Sequence, residues 1–568
     1  MNNLDAAALL SKIAASLDIL GENKFKVRAY ENAAKTIGGL EVHFGTYAEA
    51  GTLLDLPGIG KAIAEKLTEL NKTGKIPYFE ELRREVPDGI HEVMSLPGLG
   101  AKKARILWKE LGITSGAQLE EAAKAGKIAG LAGFGERTQK KILEAIAGAG
   151  KNEGFYLTSQ AWAVARELIA YLNPVVAGAA VAGSLRRGKS IVRDVDLLAS
   201  ADKPREVIEH FARGPAASEV IAKGGTKCSI RLFNGLQVDL RVVADDEYPA
   251  ALLYFTGSKE HNIQLRARAV KRGWTLNEYG LFKGKNRLES DSEEALYKHL
   301  GLSYVPPELR EGRGEVELAE EGKIPQLIDN KDITGILHVH STWSDGTASI
   351  QDMAEKARRL GYKWMGLSDH SKAASYAHGL DDSRLKKQMK EVAAMNAKWK
   401  DFRILHGMEV DILPDGTLDL SDELSGKLDF VIGSIHSRFD MTESEMTERV
   451  CKVMASPHFD VLGHPTGRLL LRREGFKIDL EKVIQTAKKE GKVVELNANP
   501  HRLDLDDAHA RRAKELGVKM SIDPDAHSVS GLEDVEFGLR TARRAGLQAG
   551  DVLNSLPAEK VKARFAGC

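Results

Sequence analysis

The sequence predicts a multidomain α/β chain: a helical region built on small hairpins, a middle part with a mixed sheet, and a distorted carboxy-terminal barrel of seven βα units. Three observations predict it. Leu-Pro-Gly-x-Gly occurs twice between helical stretches before residue 150, a Gly-Ser turn precedes an Asp-x-Asp strand over 183–198, and after residue 334 seven short apolar runs alternate with helical segments. At 568 residues the chain exceeds what one core can serve. Its 81 basic and 81 acidic side chains cancel, so contact with a polyanion must come from local clusters. Cys228, Cys451 and Cys568 lie far apart without a Cys-x-x-Cys pair, which excludes a disulfide framework or thiolate metal centre and fits a reducing compartment. With neither a basic n-region nor a membrane-length apolar run, the expectation is a cytoplasmic protein without membrane contact.

The hairpins come first, in regions 1–85 and 86–150. Leu56-Pro57-Gly58-Ile59-Gly60-Lys61 reads as helix, tight turn, helix; Leu96-Pro97-Gly98-Leu99-Gly100-Ala101-Lys102 repeats it, and Leu131-Ala132-Gly133-Phe134-Gly135 is a degenerate third copy. Gly-x-Gly permits positive φ and bares the backbone, so N–H groups at the next helix start can approach a phosphate, with Lys61 and Lys102 adding charge. Such contact reads no base sequence. One copy alone is equally well a plain αα-hairpin. Two good copies resemble helix-hairpin-helix modules and favour DNA-backbone binding. Phe25-Lys26-Val27-Arg28-Ala29-Tyr30 resembles the amino-terminal lyase domain of DNA polymerase beta. That resemblance implies Lys66 as a Schiff-base nucleophile toward an abasic sugar and Lys26 as a holder of the 5′-phosphate. Simple phosphate contact is the other reading of Lys66, because a nucleophilic lysine needs a lowered pKa.

In region 151–245 an amphipathic helix over 155–172 leads to a strand over 175–182 and then to Gly183-Ser184-Leu185-Arg186-Arg187-Gly188. Asp194 and Asp196, two apart on a strand, point to one side, where two hard cations can sit about 4 Å apart. Asp239, in the alternating run Val238–Val243, offers a third acid. The turn can present N–H groups to a phosphate and Arg187 can clamp it. A lone Asp-x-Asp is more often an outward face of an amphipathic strand; the Gly-Ser and Arg-Arg-Gly upstream favour phosphoryl or nucleotidyl transfer.

Region 246–318 opens with Tyr254-Phe255-Thr256-Gly257-Ser258-Lys259-Glu260-His261-Asn262. Together these blocks resemble a family X DNA polymerase over roughly residues 5–320. The resemblance implies a nucleotidyltransferase palm over 151–245 and an α/β thumb over 246–318. It implies that Asp194 and Asp196 hold two Mg²⁺ or Mn²⁺ ions, that Asp239 completes the site and helps activate the primer hydroxyl, and that Gly183, Ser184 and Arg187 bind the dNTP triphosphate. Tyr254, Phe255 and Gly257 would shape the sugar pocket, Asn262 would touch the incoming nucleotide, and Arg266 would contact template. Ile263 departs from the family, which has a lysine there. Lys259, Arg266, Arg268, Lys271 and Arg272 form one local basic run that suits a template strand, although a solvated helix face has the same pattern.

Pro306-Pro307, Arg310-Glu311-Gly312-Arg313-Gly314 and an acidic stretch mark a linker over 303–333, its last part, 319–333, leading to the barrel region 334–568. There the apolar runs end in His338 and His340, His370, Glu409, His436, His464, an Asn497 terminus, and Asp525 with His527; Asp345 follows the first run. In a parallel barrel the strands' carboxyl ends share one rim. Nine nitrogen and oxygen ligands without a thiol suit about three Zn²⁺ or Mn²⁺ ions. The arrangement resembles the polymerase-and-histidinol-phosphatase (PHP) family. By that resemblance one ion takes His338, His340, Glu409 and Asp525, a second shares Glu409 with His436 and His464, and a third takes Asp345, His370 and His527.

The combined expectation is a monomeric repair polymerase acting on gapped or nicked DNA, as in base excision repair. A PHP domain would supply 3′→5′ exonuclease or 3′-end processing, with possible abasic-site cleavage. The rivals are a DNA-binding scaffold with one decayed active site and a small-molecule phosphoesterase.

Overall fold

The computed structural model describes residues 3–566 other than 39–42, 88, 97–98, 137, 144–145 and 147–153. Residues 1–153 and 154–568 form two compact units. The first is helical. The helices Asn3–Leu20, Lys24–Gly38 and Lys61–Thr73 bury Leu10, Leu17, Ile37, Ile63 and Leu67 in one core; Ala101–Leu111 and its neighbours bury Leu99, Leu107 and Leu119 in another. The three hairpins repeat one hydrogen bond: Ile59 N–H to Leu56 O at 3.2 Å, Leu99 to Leu96 at 3.1 Å, and Phe134 to Leu131 at 3.0 Å. Gly58 and Gly133 take φ of 75° and 80°, which an L side chain resists. Pro97 and Gly98 lie outside the described residues.

The second unit contains three larger sheets. After β1 (Tyr156–Leu157) comes the helix Thr158–Leu172; β3 (Ile191–Val192) pairs back with β1. The five-stranded mixed sheet has the order β2 (Gly178–Val181), β4 (Asp194–Ser200), β7 (Gln237–Val243), β6 (Lys227–Leu232), β5 (Ala217–Lys223). Only β4 and β7 run parallel in it. Along β7 and at the start of β4 buried apolar residues alternate with half-buried polar ones, so Val195, Leu197, Val238 and Leu240 fill the core with Leu168 and Phe211 from two helices. Asp194, Asp196 and Asp239 are thereby left toward the other side.

The next part sets the helices Tyr248–Thr256, Lys259–Lys271 and Glu293–His299 around the antiparallel strands β8 (Trp274–Asn277), β9 (Gly280–Lys283) and β10 (Asn286–Leu288). Here the structure differs from a linker over 303–333. Val305, Val316 and Ala319 join this core, and residues 315–320 form a helix. The reason is electrostatic: Arg310 is fully buried and pairs with Glu293 at 2.6 Å, which also receives both Nη atoms of Arg186.

Seven parallel strands then follow in chain order: β11 (Gly335–Val339), β12 (Trp364–Leu367), β13 (Arg403–Asp411), β14 (Phe430–Ser434), β15 (Val461–Leu462), β16 (Val493–Asn497) and β17 (Met520–Asp523). The sheet curls until its last strand meets its first: Ala526 N–H donates to His338 O, and His340 N–H to Ala526 O. Trp364, Phe430, Val461 and Val493, each the first residue of its strand, pack with Val561 and Phe565 of the final helix Ala558–Ala566. Apolar packing therefore seals the end where strands begin, and the polar chemistry gathers at the other. No helix among the described residues is long and apolar enough to cross a membrane.

Candidate active sites

A cleft of about 410 Å³ lies above the mixed sheet, lined by Gly183, Ser184, Arg187, Asp194, Asp196, Tyr254, Phe255, Gly257, Asn262 and Arg266. Asp239 stands beside Asp196 in parallel register. The Gly-Ser turn is one helical turn, Gly183–Arg186, pressed onto the acids: a Cβ on Gly183, at φ 60°, would lie 2.0 Å from Asp196 Oδ2. Only glycine fits.

Burial, then the charges of Asp194 and Asp239, pushes the Asp196 carboxyl up to about 6; burial and Asp239 raise Asp194 as well. Two carboxyls raised in this way, with a third beside them, form a site that divalent cations would neutralise. Asp239 is oriented by the Ser229 hydroxyl and by Gln237 Nε2 at 2.9 Å. Arg187 donates from Nη1 to Thr256 O at 2.6 Å. The Phe255 ring meets Tyr254 edge-on at 5.1 Å and carries the Arg241 guanidinium 4.4 Å from its centre.

Some expected contacts are partly committed elsewhere. The Asn262 amide donates to Tyr254 O at 2.7 Å, which ties two helices and leaves its carbonyl oxygen for a ligand. In the basic run Arg268, half-buried, binds Glu320 and Leu300 O, and Arg272 binds His299 O; Lys259, Arg266, Lys271 and Arg272 are exposed, with Ile263.

In the hairpin unit, Gly60 and Gly100 precede helices without a side-chain cap, and a Cβ at either would meet nothing within 4 Å. The free first-turn N–H groups thus face open space, beside Lys61 and Lys102. Lys26 and Lys66 converge on the Tyr78 ring at 5.5 and 4.9 Å; the hydrogen bond with Tyr78 raises Lys26.

At the barrel's carboxyl rim the nine expected ligands come together. Glu409, fully buried at the centre, has His464 Nε2 at 3.0 Å, His338 Nε2 at 3.3 Å, His436 Nε2 at 3.4 Å, His340 Nε2 at 3.6 Å and His370 Nδ1 at 2.9 Å. Asp345 lies 3.4 Å from His527 and 3.7 Å from His370. The groups whose ligand atoms lie within 4.8 Å of one another overlap: His340, Asp345, His370 and His527; His338, His464 and Asp525; His338, His340 and Glu409; His370, Glu409 and His436. The expected three-way partition is thus blurred, with His338, His340, His370 and Glu409 each belonging to two groups.

Burial alone would raise Glu409, but His370, His338 and His436 outweigh it and hold the carboxyl well below the usual range. His338 Nε2, both ring nitrogens of His340, His464 Nδ1 and Glu409 Oε2 are buried without a well-formed hydrogen bond. Such orphaned donors are what divalent ions would satisfy, and the nitrogen and oxygen set suits Zn²⁺ or Mn²⁺. Three of the nine ligands, His338, His464 and Asp525, have φ of 55°, 23° and 50°, conformations a surrounding structure must enforce.

Sequence reading missed the layer behind the ligands. Glu495 binds His338 Nδ1, Asp411 binds His436 Nδ1 at 2.7 Å, and Asn497 Nδ2 reaches Glu495 and Asp525 at 3.1 and 3.2 Å. Such partners fix the ring tautomer and orientation. Parity offered a signal: Asp411 and Asn497 follow Glu409 and Glu495 by two and share their strand faces. His406, in the same strand as Glu409, binds Gln388 at 2.8 Å instead and stays apart from the rim.

Comparison with known proteins bears on the family of the chain. Residues 1–76 match a helix-hairpin-helix domain, 90–147 a SAM-like helix-hairpin-helix tandem, 251–311 the DNA polymerase beta thumb, and 337–499 the PHP domain. The "DNA polymerase/3'-5' exonuclease PolX" of Bacillus subtilis (strain 168) is 40% identical over 569 residues, 99% of each chain. A protein named "Probable phosphatase" from Acetivibrio thermocellus is 31% identical over 202 residues, 34% of this chain and 78% of its own. Another of that description, from Thermoanaerobacter sp. (strain X514), is 30% identical over 231 residues, 38% of this chain and 89% of its own. A likeness that runs the length of both chains, and not over one module alone, means that this chain belongs to the bacterial family X DNA polymerases with a carboxy-terminal PHP domain.

Proposed function

We infer that the chain is a DNA-directed DNA polymerase of repair type that also removes 3′ nucleotides through its PHP domain. The observation that carries the synthetic half is the in-register pair Asp196 and Asp239 with Asp194 on the same face, under a cleft that can take a nucleotide. In this reading Asp194, Asp196 and Asp239 hold two Mg²⁺ or Mn²⁺ ions, which when bound lower the primer hydroxyl's pKa and neutralise the transferring phosphoryl. Arg187, Ser184 and Gly183 hold the triphosphate. Tyr254, Phe255 and Gly257 border the sugar, and Asn262 keeps a carbonyl oxygen for the nucleotide. Lys61, Lys102 and the bare hairpin backbones grip gapped or nicked DNA, with Lys26 and Lys66 placed for a 5′-phosphate or abasic sugar.

The nine rim residues hold about three Zn²⁺ or Mn²⁺ ions, which when bound activate water. Glu495 and Asp411 fix the His338 and His436 rings for that task. Domain limits of 1–85, 86–150, 151–245, 246–318 and 334–568 suit this division, as does a monomer working in the cytoplasm. Against a decayed scaffold stands the retention of every acid and ligand; against a small-molecule phosphoesterase stands the full-length likeness to a polymerase. One primer–template incubated with Mg²⁺ or Mn²⁺ tests both halves. Extension with dNTPs and 3′ shortening without them are expected, and neither product in any condition would refute the reading.

A further inference from the structure

The helix Val535–Arg544, which follows the last barrel strand, lies against the turn that carries the cleft's arginine. A Cβ on Gly188 would come within 3.3 Å of Arg540 Cβ and 3.4 Å of Arg544 Cδ. At that contact Arg544, 3% exposed, donates from Nη1 to the backbone carbonyl of Arg187 at 2.8 Å and to Glu311 Oε1 at 2.8 Å. The same Glu311 oxygen accepts from Arg187 Nε at 3.0 Å, and Lys189 Nζ lies 3.1 Å from the other oxygen. Arg544 Nη2 is held in turn by Asp507 at 3.0 Å.

Two features of this arrangement bear on nucleotide binding. Arg187 has Nε and Nη1 fixed, to Glu311 and to Thr256 O, and Nη2 is left with no protein partner among the described residues, in the wall of the cleft. Glu311 is also over-supplied with positive charge. Burial would raise its carboxyl, but Arg544, then Arg187 and Lys189, bring it down to about 2. A carboxylate shared among three cations orients Arg187 without cancelling its charge. Removing Arg544 would leave Glu311 more completely to Arg187 and free the Arg187 carbonyl.

We propose that Arg544, from the PHP end of the chain, is a positioning residue for nucleotide binding: it holds Arg187, through Glu311 and the Arg187 carbonyl, in the pose that meets the dNTP triphosphate. This rests on the reading of Arg187 as a triphosphate ligand. It goes beyond that reading by making the nuclease half a structural part of the polymerase site.

The test is steady-state single-nucleotide extension by the full-length protein as R187A, R544A, R544K and R187A/R544A, with Mn²⁺-dependent 3′ shortening measured alongside. R544A should raise KM for dNTP about tenfold with kcat changed less than about twofold, the scale of an ordinary coupling between sites. R544K, which keeps a charge for Glu311 but not the forked donor, should recover part of the loss. The double variant should be no worse than R187A alone, and 3′ shortening by R544A should match the parent, which also shows that it folds. The proposal is overturned if R187A raises KM and R544A does not, or if the two losses multiply. A parental KM in R187A would instead remove the triphosphate role of Arg187, and this proposal with it. Should R544A not fold, R544K carries the test, and either a parental KM in R544K or an R544K loss that multiplies with that of R187A overturns it equally.

Discussion

Asp194 and Asp196 differ from the other half-buried acids of the chain in what surrounds them: each other, Asp239, and a glycine that nothing larger can replace. Asp194→Asn or Asp196→Asn should abolish primer extension, a loss of at least about a thousandfold, and leave 3′ shortening intact. A quantified gel assay with and without dNTPs decides this, and loss of both activities in a folded variant would contradict the two-site division. Glu293 makes a different kind of claim. Burial would raise its carboxyl, but Arg310 and Arg186 outweigh that and draw it down to about 2. A depressed folded pKa contributes stability above the ordinary value of 4.5, lost as pH falls toward about 2. Glu293→Gln leaves Arg310 buried and unpaired, so it should lose about 3–5 kcal/mol near neutral pH. That difference from the parent should shrink between pH 4.5 and about 2 when followed by denaturant unfolding.

Among the elements, the hairpins offer the cleanest separation of fold from function. Gly60 and Gly100 have negative φ, and a Cβ there meets nothing. Gly60→Ala with Gly100→Ala should therefore change stability by no more than about 1 kcal/mol per site, since the N-cap preference for glycine over alanine is offset by the lower entropy of the unfolded chain. It should weaken gapped-DNA binding about tenfold, or about 1.4 kcal/mol, if those backbones approach phosphate; filter binding beside thermal melting separates the two. Elements of this kind were legible in the sequence because local chemistry dictates them. Positive φ demands glycine at Gly58 and Gly133, and two-residue periodicity puts Asp194 and Asp196 on one face. The ligand positions at the ends of six of the seven strands were legible for the same reason, since parallel strands in chain order bring their carboxyl ends to one rim. What stayed hidden depends on partners distant in sequence. The stretch 303–320 reads as a linker by composition, yet Arg310 finds Glu293 and pulls it into a core. Which histidines share an ion is also set by side-chain packing across strands, and His338, His340 and His370 each fall in two groups.

On the scale of the whole molecule, zero net charge means that DNA affinity comes from the exposed clusters, and a handful of contacts should set a modest salt slope. Ions at the barrel rim should matter for stability as well as chemistry, because they would satisfy buried nitrogens that otherwise lack partners. Stripping metal with a chelator should lower the melting temperature, and restoring Mn²⁺ or Zn²⁺ to a hundredfold over Kd should return about 2.7 kcal/mol. A calorimetric scan before and after chelation reads this directly, and an unchanged transition would count against a metal-filled rim.

The closure between β11 and β17 carries a consequence for how the molecule comes into being. His338 belongs to the first strand and Asp525 follows the last, so the hydrolytic centre cannot assemble until the ribosome has passed residue 527. The three aspartates are complete by residue 239, early in translation. Synthesis therefore lays down the acids of the building site well before the last ligands of the erasing one, and a message truncated between residues 338 and 525 yields a chain without the complete nuclease centre.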